Sequence, residues 1–171
     1  MVTIRPVGND ERFEEFFRTH YGRVRRYVAR RTSAGLVDDV TSAAFTVAWR
    51  KFDTVDEPSI AWVIRIASLE LANVRRKELR RQGRERSWLE RPAAPVAATD
   101  HEMLAAALDD LSDSDREIVR LVHWDELARS EIAEVLGISV GAVNVRYHRA
   151  LSRLEARLHA HETTTTQEVP R

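Results

Sequence analysis

The sequence predicts an all-α protein: two small helical domains joined by a flexible linker, the second a helix-turn-helix domain. Three observations support this. Apolar residues recur at helical spacing, with no sustained alternation of the kind a strand shows. Helix formers dominate, and only six Gly and five Pro punctuate 171 residues. Around Pro92 and Pro95 an Ala/Arg-rich stretch interrupts the pattern and reads as a linker. The expected division is a first domain over 1–82, a linker over 83–100, a second domain over 101–158 and a disordered tail over 159–171. At this length each domain sits near the lower limit for a self-sufficient core.

The elements follow in order. A first helix is expected from about Asp10 to Arg31, ending at Thr-Ser-Ala-Gly. A second runs from Val37 to Phe52, with Asp38 and Asp39 in its first turn, where they complement the helix dipole. It carries two apolar faces: Val37, Val40, Ala44, Val47 and Ala48 on one, Phe45, Trp49 and Phe52 on the other. Such a helix is sandwiched in a bundle or docks a partner. After the loop 53–58, Ser59 caps a third helix reaching about Arg81. A helical turn around Trp88 fits within the linker. In the second half a helix covers about 101–111, and Ser112 or Ser114 caps another to about His123. A short helix, a tight turn at Gly137 and a longer basic helix capped by Ser139 complete a helix-turn-helix. The tail with Thr163 to Thr166 has nothing to bury.

Charge is uneven beneath a net value of zero. Residues 1–98 hold 19 Lys/Arg against 13 Asp/Glu, and residues 99–171 hold 8 against 14. Within the second half, 100–134 is acidic, while Arg146, Arg149, Arg153 and Arg157 face Glu155 alone in 139–157. Basic surface gathered on particular helices suits a polyanion; the plainer reading is a set of solvated faces.

On the third helix Ile60, Val63, Ala67, Leu71 and Val74 form an apolar stripe. Trp62, Arg65, Leu69, Asn73, Arg76 and Arg80 fall opposite, flanked by Arg75, Lys77 and Arg81. An aromatic ring among guanidinium groups suits single-stranded nucleic acid, whose bases stack while arginines track phosphates. Trp62 could equally be tucked into the core. On the last helix Val143, Tyr147, Ala150, Leu154 and Leu158 form the stripe expected to pack on Ile118, Ile132, Val135 and Leu136. Opposite lie Gly141, Val145, His148, Arg149 and Ser152, bordered by Arg146 and Arg153. Small residues at Gly141 and Ala142 let the helix start approach a phosphate, which the amide dipoles favour. Arg149 or Arg146 could bind guanine, and Val145 could touch a thymine methyl.

Other classes find less support. The chain has no cysteine, which excludes disulfides and thiolate metal sites and fits a reducing cytoplasm. The six histidines (His20, His101, His123, His148, His159 and His161) show no dense ligand spacing, so no metal, cofactor, small-molecule substrate or enzymatic activity is expected. No apolar run approaches a membrane span and no secretory signal is read at the start.

Three segments together resemble a known family. Residues 37–52 (Val-Asp-Asp-Val-Thr-Ser-Ala-Ala-Phe-Thr-Val-Ala-Trp-Arg-Lys-Phe), residues 61–77 (Ala-Trp-Val-Ile-Arg-Ile-Ala-Ser-Leu-Glu-Leu-Ala-Asn-Val-Arg-Arg-Lys) and residues 108–154, with Glu-Ile-Ala-Glu-Val-Leu-Gly-Ile-Ser-Val-Gly-Ala-Val, are similar to regions 2.2, 2.3–2.4 and 4 of extracytoplasmic-function (ECF) sigma factors. The resemblance implies a bacterial, cytoplasmic RNA polymerase subunit that directs promoter recognition, with an anti-sigma factor as a further partner. It implies that Asp38, Asp39, Ser42 and Arg50 meet core polymerase. Trp62, Arg65, Asn73, Arg75, Arg76, Lys77 and Arg80 would hold the −10 promoter element as single strand. Ser139, Gly141, Ala142, Val145, Arg146, His148, Arg149 and Arg153 would read the −35 element as duplex. The chain departs from the common pattern at Ser42-Ala43, where the family often carries Gln-Glu, at Leu69 in place of Asn, and at Ala142 and Asn144 in place of Thr and Lys. The competing reading is a freestanding helix-turn-helix regulator that binds duplex DNA without polymerase.

Overall fold

The computed structural model describes residues 7–82 and 100–166, with side chains from 10 to 80 and from 104 to 159. All regular structure among the described residues is helical: α1 (Val7–Ala29), α2 (Val37–Lys51), α3 (Ile60–Gln82), α4 (Asp100–Asp109), α5 (Asp113–His123), α6 (Arg129–Leu136) and α7 (Val140–Thr166). Single 3₁₀ turns lie over Ala34–Leu36 and Phe52–Thr54. The chain divides into two compact units, the first containing α1 to α3 and the second containing α4, α5 and α7. The linker expected over 83–100, with its turn at Trp88, lies outside the described residues apart from Asp100, which opens α4.

The first unit is a three-helix bundle in which each helix packs on the other two. Both apolar faces of α2 are used, which is why it is buried at Val37, Val40, Ala44, Phe45 and Ala48. It is sandwiched, as one of its two readings expects, although Trp49 at its end is exposed. The stripe of α3 turns inward through Ile60, Val63, Ile64 and Ala67. Leu71 and Val74 are only half-buried, so the core fades toward the basic end of that helix. Ser59 caps α3, its Oγ accepting the Trp62 N–H at 3.0 Å.

Aromatic rings close the bundle's other side. The Phe52 ring lies 5.2 Å from Phe13 and 5.4 Å from Phe16, and Phe17 lies 4.8 Å from Phe45, centroid to centroid. Such pairs add about 0.5–1.5 kcal/mol each beyond the area they bury.

In the second unit α4 and α5 both pack on α7. Ala107, Leu108, Leu111, Val119, Ala150 and Leu154 form one cluster, joined by Leu151 and Leu158. Ile118, Leu121, Ile132 and Val143 are fully buried beside it. The expected stripe of the last helix is the buried one, from Val143 through Tyr147 and Ala150 to Leu154.

Within the tail expected over 159–171, α7 is described as far as Thr166. Among the described residues no helix is long and apolar enough to cross a membrane.

Candidate nucleic-acid interface

Over the described side chains, the exposed face of α3 runs from near Trp62 to Arg80. Arg65, Arg75, Arg76, Lys77 and Arg80 are all exposed. Their contacts within the helix are local: Arg76 Nη2 donates to Asn73 Oδ1, and Arg80 Nε donates to the Arg76 carbonyl at 3.2 Å. Asn73 is therefore engaged by its own helix through Oδ1, while its amide N–H donors take no part in that bond. Leu69 and Leu79, 58% and 61% exposed, alternate with these cations. Trp62 departs from the expected free stacking face. It is half-buried, its ring 6.0 Å from Phe16 and 6.5 Å from Phe52, so the aromatic cluster occupies part of its surface. The reading of Trp62 as tucked holds for that part of the ring.

The helix-turn-helix is built by three local devices. Glu131 reaches back from the first turn of α6 to accept the Ala128 N–H at 2.7 Å, satisfying a donor the helix leaves open. Gly137 takes φ 66°, the left-handed conformation glycine adopts without a Cβ clash, and the Ile138 N–H closes on the Ala133 carbonyl at 3.1 Å. Ser139 Oγ then accepts the Ala142 N–H at 3.1 Å and starts α7. Ser139 is thus the cap that fixes the start of the helix. Gly141 is exposed and Ala142 half-buried, which leaves the first turn of α7 with little side-chain bulk on its outer side.

Further along α7, Val145 is 67% exposed and covers nothing. His148 is exposed beside it and Arg146 is half-buried. The fixing of α7 involves Tyr147. Its hydroxyl lies 2.9 Å from His123 Nε2 of α5, and the Arg129 guanidinium stacks 3.7 Å from its ring centroid.

Two of the expected DNA-binding arginines are not simply facing solvent. Arg149 Nη2 donates to Asp115 Oδ1 at 2.7 Å, and Arg153 Nη1 donates to Asp115 Oδ2 at 3.4 Å. The Asp115 side chain is wholly buried, whereas those of Arg149 and Arg153 remain 48% and 56% exposed. Burial pushes the Asp115 carboxyl up, but hydrogen bonds from Arg149 and Ser112 and the charges of Arg149 and Arg153 outweigh it and hold the carboxyl below the usual aspartate range. Asp115 in turn raises Arg149. Arg157, one turn on, pairs with Asp110 at 2.8 Å. Arg149, Arg153 and Arg157 therefore form an anchored row of cations along α7.

The profile of Sigma-70, region 4 matches residues 101–154, the segment from α4 into α7. The RNA polymerase sigma factor CarQ of Myxococcus xanthus is 30% identical over 86% of this chain and 89% of its own length. The chain belongs to the ECF sigma factors of the sigma-70 family. The RNA polymerase sigma-E factor of Streptomyces coelicolor is similar over 91% of both chains at 29% identity. Among solved structures, CnrH in complex with the cytosolic domain of CnrY matches with a TM-score of 0.62 at 27% identity, covering 90% of this chain and 91% of that one. RpoE in complex with the anti-sigma factor NepR from Bartonella quintana shares the fold, with a TM-score of 0.66 at 22% identity over 87% of this chain and 98% of that one. As a sigma factor the protein acts in transcription initiation through RNA polymerase, which favours this reading over a freestanding regulator.

In this sigma factor the four residues expected to meet polymerase all lie exposed on α2: Asp38, Asp39, Ser42 and Arg50. Asp38 also pairs with Arg25 of α1 at 2.9 Å. At that exposure the pair stabilises little and can yield to a partner. Sequence reasoning missed Asp115 and Arg116. Arg116 donates to the carbonyls of Leu108 at 2.8 Å, Asp109 at 2.8 Å and Leu111 at 3.1 Å, and so closes the end of α4. The signal for Asp115 was present: an acid on the apolar stripe of α5, three residues before Ile118, with arginines at i and i+4 on a later helix.

Proposed function

We propose that this sigma factor holds a promoter at two points. The exposed face of α3, with Arg65, Arg75, Arg76, Lys77 and Arg80, takes the −10 element as single strand. The outer face of α7, from Gly141 and Ala142 through Val145, Arg146 and His148 to Arg149 and Arg153, reads the −35 element in the major groove of duplex DNA. Asp38, Asp39, Ser42 and Arg50 on α2 meet core polymerase, which sets the spacing between the two DNA-binding surfaces. The observation that carries this reading is the exposed cationic row of α3 interleaved with apolar side chains. Phosphates attract such a row, and the apolar side chains between its cations offer contact to unpaired bases.

The protein works in the bacterial cytoplasm and performs no catalysis of its own; polymerase supplies the chemistry. An anti-sigma factor is part of the proposal, supported by the structure of CnrH in complex with the cytosolic domain of CnrY. The test is run-off transcription with core polymerase on a library of genomic promoter fragments. Adding the chain is expected to make initiation promoter-selective, and Arg76→Ala is expected to weaken binding to a strand-opened promoter far more than to closed duplex. Initiation that stays unselective with the chain present overturns the proposal.

A further inference from the structure

We infer that Asp115 is a positioning residue for DNA recognition: buried beneath the otherwise exposed first turn of α5, it holds Arg149 in the orientation from which that side chain reads the −35 duplex. The inference rests on the proposed reading of α7 and adds a residue that touches no DNA.

Four observations converge on it. The Asp115 side chain is completely buried, so it cannot meet DNA itself. Its two oxygens are divided between two arginines one helical turn apart on α7, Oδ1 taking Arg149 and Oδ2 taking Arg153. The Arg149 contact uses Nη2 alone, and 48% of the side chain stays exposed, so donors on Nη1 and Nε remain for a ligand. Finally, α5 does not need this acid for its own stability at the N-terminus. Asp113 already complements the dipole in the same turn, and Ser112 caps the helix by accepting the Asp115 N–H.

A buried ion pair is a costly way to join two helices. An apolar residue of similar size generally does it as well or better. What an apolar residue cannot do is fix a guanidinium. An unrestrained arginine loses rotamer freedom when it binds a base, and a bidentate contact tolerates little angular error. Anchoring the guanidinium beforehand removes that entropic loss at the moment of binding. It also separates Arg149 from neighbours such as Val145, which meets DNA with no such support.

The experiment uses the sigma factor reconstituted with core polymerase. The probes are a promoter fragment selected from a random pool by the wild-type holoenzyme and the same fragment with its upstream element scrambled. The readout is the ratio of the two affinities, measured below the melting transition of every variant. Asp115→Asn is nearly isosteric and removes the charge; it is expected to lower the ratio on the order of 10-fold, matching Arg149→Ala, since one good base contact is worth that much. The double variant is expected to fall no further than Arg149→Ala. A purely structural role would shift the melting temperature of Asp115→Asn and leave the ratio intact, and that result overturns the inference. So does an Arg149→Ala ratio equal to wild type while Val145→Ala or Arg146→Ala lowers it, which would make Arg149 a strut. A wild-type ratio of one defeats the underlying reading of α7 instead, and is told apart because no variant then has anything to lose.

Discussion

The basic end of α3 and the basic border of α7 carry the same chemical groups in opposite mountings. On α3, Arg76 binds Asn73 one turn back in the same helix. On α7, Arg149, Arg153 and Arg157 reach across to acids at the two ends of the α4–α5 corner, Asp115 and Asp110. The difference teaches what each surface suits. A single strand has no fixed shape, so cations that follow it must adapt. A duplex groove has fixed dimensions, and a row of guanidinium groups held in place loses less freedom on entering it.

Stability separates the two sets of arginines most widely. Arg149→Ala strips the buried Asp115 of its shorter partner. The expected loss is about 2 kcal/mol, below the usual cost of breaking a buried pair because the guanidinium is half-exposed. Arg76→Ala on α3 is expected to change stability by less than about 0.5 kcal/mol. Thermal melts of the two variants check both; equal losses would erase the distinction.

A binding measurement sharpens the same contrast. Arg76→Ala is expected to lower holoenzyme affinity for a strand-opened promoter about 10-fold and to reduce its salt dependence, because one phosphate contact is lost. Next comes the cap of α7. Ser139→Ala is expected to destabilise the second unit by about 1 kcal/mol, read as a lower melting temperature. The smallest effect concerns pH. The folded Asp115 carboxyl lies below the usual aspartate value, so the unfolded chain takes up its proton first as pH falls. Its contribution is therefore whole above about pH 4 and is lost below that. Melts from pH 6 down to pH 3 are expected to show a steeper fall for wild type than for Asp115→Asn.

Much of the fold was legible because its signals are local. Ser59, Ser112 and Ser139 each cap a helix where the sequence places one, since a cap needs only the next three residues. Gly137 marks the turn for the same reason: its backbone conformation is set within the turn itself. The stripes of α3 and α7 followed from helical spacing. What escaped depends on distant partners. The pairing of Asp115 with Arg149 spans 34 residues, and nothing in the local pattern of α5 names its partner. Trp62 was assigned to the outer face by helical angle alone, while Phe16 and Phe52, from separate segments, decide how much of its ring is covered.

The claim that one surface takes an open strand and the other a paired groove is tested most directly by crossing variants with probes. Holoenzymes carrying Arg76→Ala or Arg149→Ala are titrated with two DNAs, one strand-opened at the −10 element without an upstream duplex, the other a duplex bearing the −35 element alone. The account expects Arg76→Ala to weaken only the first and Arg149→Ala only the second. Equal losses on both DNAs for either variant would contradict it.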